Sequence, residues 1–203
     1  EKRIKLTEEQ ARIFTMLGSR KKALISGGAG TGKTLLAIQL ATNLASDGHR
    51  TLLICYNNLL GGLLESNAMA IKNLEASSYF SFISSQAVKV KNITGRDLLR
   101  EAQEAYPGDD TYDIQLPYAL ALAAEVINEK FDAIIVDEGQ DFHDEYWMGV
   151  EDFLVKDGYF YIFYDNNQRI YNKPTNFPIK EEPYYLTHNC RNTDKIHEFA
   201  YKF

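Results

Sequence analysis

The chain has 203 residues, 45% of them hydrophobic, which is enough for one sizeable packed domain and excludes a disordered segment. Its net charge of -6 excludes a uniformly basic, nucleic-acid-coating surface, though not a local basic groove. Two cysteines, Cys55 and Cys190, suit neither a disulfide framework nor a metal cluster, and no apolar run is long enough for a secretory leader or a bilayer span. The expected setting is therefore a reducing cytoplasm with no membrane partner.

The first stretch, KLTEEQARIFTML, predicts a helix with Thr7 as N-cap and Gln10 at the capping-box position. KKALISGG predicts a short buried strand ending in glycines, and residues 32–45 predict a helix that closes near SDGH. TLLICY predicts a second strand, and NNLLGGLLESNAMAIKNL a helix. Order signals weaken between about residues 77 and 112. There SFISSQAVKV predicts a strand, GRDLLREAQEAY a short amphipathic helix and PGDDTYD an acidic turn. Residues 77–125 or so are read as a reduced, partly helical accessory insertion. LPYALALAAEVINEK predicts a helix. FDAIIVDE, GYFYIFYD and PYYLTH predict buried strands, the last preceded by the proline-bearing loop NKPTNFPIKEEP. Short apolar strands alternating with helices predict an α/β fold, a mostly parallel sheet flanked by helices. Residues 1–203 are read as one domain, expected to be part of a longer protein because Glu1 is not a methionine and Phe203 falls inside a helical pattern.

Gly27, Gly32, Lys33 and Thr34 fit G-x-x-x-x-G-K-[ST], placed after a predicted strand and before a predicted helix. This is a P-loop, and the residue types follow from its physics. Glycines reach positive φ and let the backbone approach a phosphate closely. Gly28, Ala29, Gly30, Thr31 and Gly32 turn successive N–H groups toward the anion, reinforced by the positive end of the helix. Lys33 adds a point charge at the β- and γ-phosphates, and Thr34 offers a hydroxyl to Mg²⁺. Further on, AIIVDEGQD sets Asp137 and Glu138 at a predicted strand end, the rim where α/β sheets bind ligands. Asp137 is then a metal ligand, and Glu138, on the other face of the pleat, a general base for water. ATP and Mg²⁺ are the cofactors these residues imply.

In motif order these stretches resemble the first RecA-like motor domain of superfamily 1 helicases, of the UvrD/Rep-like group. LTEEQ resembles the Q motif, in which Gln10 would read the adenine edge, and VDEGQD resembles the DExxQD element. TLLICYNNLLGGLL resembles the motif that touches a single strand, with Tyr56 and Asn58 as contact candidates. FYDNNQRIY and LTHNCRNTDKI resemble two further motifs, in which Gln168 would sense the γ-phosphate and Arg191 would stabilise transition-state charge. The resemblance implies that Gln140 couples nucleotide state to the segment around Gln168. It also implies a single-stranded nucleic acid as partner, DNA in preference to RNA, and a second motor domain outside this chain. The sequence departs from the pattern at Leu35 and Cys190, beside the expected base, and at Lys173 and Pro174, where a stacking tryptophan and an arginine are usual. Lys173 would then grip the strand by charge.

Lys89, Lys91, Arg96 and Arg100 form a second basic candidate surface, read equally as a solvated face. His143 reads as a loop histidine, and Trp147 and YFYIFY as core. A rival reading, an ATP-dependent switch or interaction module without translocation, draws on the departures at Leu35, Lys173 and Cys190. A small-molecule kinase would leave Gln140 and Asp141 unexplained.

Overall fold

In the computed structural model, which describes residues 8–18, 20–165 and 176–187, α1 (Glu8–Leu17) leads into β1 (Lys22–Gly27) and α2 (Lys33–Ser46). Next come β2 (Thr51–Cys55), α3 (Asn58–Ala68), β3 (Leu74–Ser78), α4 (Tyr79–Thr94) and α5 (Leu98–Ala105). A single π-type turn (Thr111–Gln115) runs into α6 (Leu116–Val126). The chain then builds β4 (Phe131–Asp137), a 3₁₀ turn (Gly139–Asp141), α7 (Asp144–Glu151), β5 (Leu154–Tyr164) and β6 (Tyr184–Leu186).

The six strands form one sheet in the order β3-β2-β4-β5-β1-β6, and every pairing is parallel. Strand residues alternate between two apolar layers, as the pleat requires. Leu52, Ile54, Ile134, Val136, Phe160 and Ile162 face a core shared with α4, α5, α6 and α7. Leu53, Ile135, Tyr161 and Phe163 face a second core shared with α1, α2 and α3. Helices on both faces of a parallel sheet give the expected α/β, RecA-like architecture.

The segment from 57 to 94 differs from expectation. SFISSQAVKV is not a strand but the body of α4. Its buried residues Phe82, Ile83, Gln86, Ala87 and Val90 recur at helical spacing. The Ser78 side chain caps its start by accepting from the Ser81 N–H, and Gly95 closes it at φ 76°. The helix expected to run from 57 to 74 stops at Ala68, and the strand lies instead at Leu74–Ser78, on the sheet edge.

Gly61 lets α3 lie directly on the end of that edge strand. A Cβ there would stand 2.6 Å from the Ser78 backbone nitrogen and 2.9 Å from its Cα, and backbone cannot step aside. Gly61→Ala is therefore expected to destabilise the fold by about 1–3 kcal/mol, read as a lower urea midpoint with an unchanged slope.

The first helix and the last strand are also tied together. The Thr187 N–H and hydroxyl donate to the Glu9 carboxylate at 3.0 and 2.6 Å, next to the pairing of Gly27 with Leu186. Among the described residues, no helix is long and apolar enough to cross a membrane.

Candidate functional site

The carboxyl ends of three neighbouring strands, β1, β5 and β4, carry the candidate residues. Register pairs Ser26 with Tyr164 and Val136 with Ile162, so the loop after β1, Asp165 after β5 and Asp137 at the end of β4 share one rim. The loop turns twice into the left-handed region, at Gly30 (φ 82°) and Gly32 (φ 85°). Side chains rarely tolerate that conformation, which accounts for both glycines. The loop is pinned from within, because the Thr31 N–H and hydroxyl donate to the Gly28 carbonyl at 3.3 and 2.9 Å. Ala29 lies in the same turn, and Gly32 stands as the N-cap of α2 with no side-chain cap.

Gln10 lies buried beneath this loop, its Nε2 donating to the Thr31 carbonyl at 2.9 Å. It braces the turn from α1 and also packs on Gly32. Lys33 begins α2 and is itself buried. Its Nζ donates to the carbonyls of Gly27 (2.8 Å) and Gly28 (3.2 Å) and stands 3.5 Å from Oδ2 of Asp165. Thr34 follows, and Leu35 turns partly to solvent.

Across the rim, Asp137 is fully buried and neither carboxylate oxygen makes a hydrogen bond of ordinary geometry. Burial raises its pKa to about 6, against the opposing pull of the nearby Thr34 hydroxyl. Glu138 next to it takes a left-handed backbone (φ 53°), uncommon for a residue with a side chain and typical of functional sites. Gln140 donates from Nε2 to Glu138 Oε2 at 2.7 Å and accepts the Asp165 N–H on Oε1 at 2.9 Å. A continuous line of contacts thus runs from Lys33 through Asp165 and Gln140 to Glu138. Asp165 is the member that sequence reasoning passed over. An acid at the end of a buried strand beside a P-loop was the available signal.

Lys33, Thr34, Asp137 and Glu138 therefore meet in one place, with Gln10 underneath. Gln168, Arg191 and Lys173, like Thr7 and Cys190, lie outside the described residues. Tyr56 is half-buried, its ring edge-on to Phe80 at 5.3 Å and parallel to Tyr146 at 6.3 Å, so it is packed among aromatics. Asn58 is exposed at the start of α3, its Oδ1 accepting the Ser78 hydroxyl at 2.6 Å. The second basic surface is largely neutralised. Lys91 pairs with Asp97 (2.8 Å), Arg96 with Glu101 (2.6 Å) and Arg100 with Glu104 (2.8 Å), leaving Lys89 the one member of the group without such a pair among the described residues. Trp147 is core, stacked on Phe142 at 5.0 Å, and His143 opens α7 beside Asp113.

No curated protein matches the chain. A solved chain that does match, at 12% identity and a TM-score of 0.51, is a nuclease-deletion mutant of the Type ISP restriction-modification enzyme LlaGI in complex with a DNA substrate mimic. The alignment covers 98% of this chain and 22% of that one, and at this identity it shows the fold. The family described as Schlafen group 3, DNA/RNA helicase domain, matches residues 20–176. Both findings support a helicase-type motor fold and neither names a UvrD/Rep-like group. The matched span runs from just before β1 into the segment after β5 and takes in the P-loop, Asp137, Glu138 and Asp165, and on that ground the chain belongs to the Schlafen group 3 DNA/RNA helicase domain family.

Proposed function

We propose that this domain binds and hydrolyses ATP with Mg²⁺, and that hydrolysis drives movement along single-stranded nucleic acid, DNA in preference to RNA, once a second motor domain closes over it. One observation carries the reading: Lys33, Thr34, Asp137 and Glu138 come together on one rim, and the Asp137 oxygens there are buried with no hydrogen bond of ordinary geometry. A buried carboxylate so poorly matched by donors suits a divalent cation. One carboxylate plus one hydroxyl is also how Mg²⁺ is commonly held, the remaining ligands being phosphate and water. When bound, the ion would neutralise charge on the phosphates.

Within that reading, the loop N–H groups and Lys33 hold the β- and γ-phosphates. Thr34 and Asp137 take the metal, Glu138 accepts the proton of the attacking water, and Gln140 aligns Glu138. Gln10 and Leu35 flank the base. Gln168 and Arg191 keep the sensing and charge-stabilising roles that the superfamily 1, UvrD/Rep-like resemblance implies. Asn58 and Lys173 are the strand contacts; Tyr56, packed as it is, contributes to the shape of that surface. The neighbour's DNA substrate mimic supports a nucleic-acid partner.

The test is ATP turnover by the full-length protein with and without a single-stranded oligonucleotide. Strand-stimulated turnover supports the motor. Tight MgATP binding with flat turnover would replace it with the switch reading. Residues 1–203 alone are expected to turn ATP over slowly, with poor stimulation by the strand. Gln140→Ala should lower strand-stimulated kcat by about 10–100-fold, since it misaligns the base, with a smaller change in MgATP affinity because the Lys33–Asp165 ion pair keeps both its members.

A further inference from the structure

The P-loop lysine is already engaged, donating to two carbonyls and standing within ion-pair distance of a carboxylate. An ammonium has three donors. Around Lys33 Nζ stand the Gly27 and Gly28 carbonyls and, at 3.5 Å, the carboxylate of Asp165. The two side chains are 7% and 1% exposed, so the ion pair is shielded from water. Asp165 directly follows β5, the strand between the P-loop strand and the strand that ends in Asp137. A triphosphate that engages Lys33 must take it from a buried carboxylate and then lie beside that charge.

We infer that Asp165 is a positioning residue that holds Lys33, competes with the nucleotide for it, and recaptures it as products leave. The inference rests on the ATP reading above and adds a control of affinity and release to it. The Asp165 N–H is held by Gln140, which also holds Glu138. Transfer of Lys33 between carboxylate and phosphate is therefore felt at the group proposed to activate water.

Asparagine keeps the shape of Asp165 and removes its charge. In the full-length protein, Asp165→Asn is expected to bind MgATP and MgADP about 10–100-fold more tightly, because the competing charge-assisted contact is gone. KM should fall, and kcat should fall with it because ADP leaves more slowly. A purely structural role would weaken binding instead. A second measurement needs no nucleotide. Lys33→Ala should lower the urea midpoint by removing the cation that stands 3.5 Å from the buried Asp165 carboxylate, and adding Asp165→Asn should restore much of the loss. Asp165→Ser serves as a second uncharged variant if the asparagine folds poorly.

Unchanged or weaker nucleotide binding by the uncharged variants, with normal binding by the wild type, would overturn the inference alone. So would an added requirement for Mg²⁺ in those variants, which would assign Asp165 to the metal. Failure of the wild type to bind MgATP would overturn the underlying ATP reading, and this inference with it. In that case the urea cycle would still report whether the pair exists.

Discussion

Replacing Glu138 with glutamine is expected to lower ATP turnover by the full-length protein about 10²–10⁴-fold while leaving MgATP binding intact. The side chain follows Asp137 at the end of β4, on a left-handed backbone, and is gripped by Gln140 at 2.7 Å. That contact fixes where its oxygens point before any substrate arrives, and preorganisation of this kind separates a general base from a surface acid. Glutamine has nearly the same shape, and its amide oxygen still accepts from Gln140, but it cannot take a proton from water. Single-turnover hydrolysis measured beside equilibrium binding separates the two effects. A variant that binds MgATP and hydrolyses it at the wild-type rate would remove Glu138 from the chemistry.

Asp137→Asn is expected to make the protein more stable and less active together. With Mg²⁺ chelated at pH 7, the unfolding free energy should rise by about 1–3 kcal/mol, while Mg²⁺-dependent turnover is lost. The sign follows from linkage. Burial raises the folded-state pKa from 3.8 to about 6, so the folded chain holds this proton more tightly than the unfolded chain does. The ionised carboxylate therefore costs stability at pH 7. That cost shrinks as the pH falls from about 6 toward 4, where the variant and the wild type should converge. Asparagine removes the charge at every pH. Urea midpoints at pH 7 and pH 4 in EDTA would check this, and a variant less stable than the wild type at pH 7 would show that the carboxylate has compensation inside the fold. Such a residue fits the exchange of stability for function seen at many sites.

The parts of the fold that were legible in the sequence have one cause acting at one scale. The runs ALIS, TLLIC, AIIV and YFYIFY are apolar on both faces, which marks strands buried between two helical layers. The P-loop was legible because its glycines serve backbone geometry that is local to eight residues. Asp137 and Glu138 could be placed because they end such an apolar run. Local signals failed where tertiary contacts decide. α4 carries phenylalanine, isoleucine and two valines with interspersed serines, and the strand and helix periods compete over so short a span. Ser78 and Gly95, its two caps, settle the matter only once they are seen as caps. β3 is an edge strand, LEASS, with no apolar run to announce it.

At the site the pattern repeats. The side chains fixed by sequence spacing along the P-loop and the end of β4 were found. The Lys33–Asp165 pair joins positions far apart in sequence, and the Gln10–Thr31 bond depends on how α1 packs against the loop. The basic residues after Val88 stayed open between two readings for a related reason. Their carboxylate partners, Asp97, Glu101 and Glu104, are sequence neighbours, but the turn between α4 and α5 sets Lys91 against Asp97 and Arg96 against Glu101, and the helical spacing of α5 sets Arg100 against Glu104.

The clasp between Glu9 and Thr187 has a mechanical consequence. Polypeptide leaving β6 departs from the strand that abuts the phosphate loop, and it does so through a residue stapled to the first helix. Tension or torque arriving along the chain from beyond Leu186 would load the floor of that loop and the helix bracing it before reaching the rest of the sheet. The domain is wired so that a pull on its tail is felt first where the triphosphate would sit.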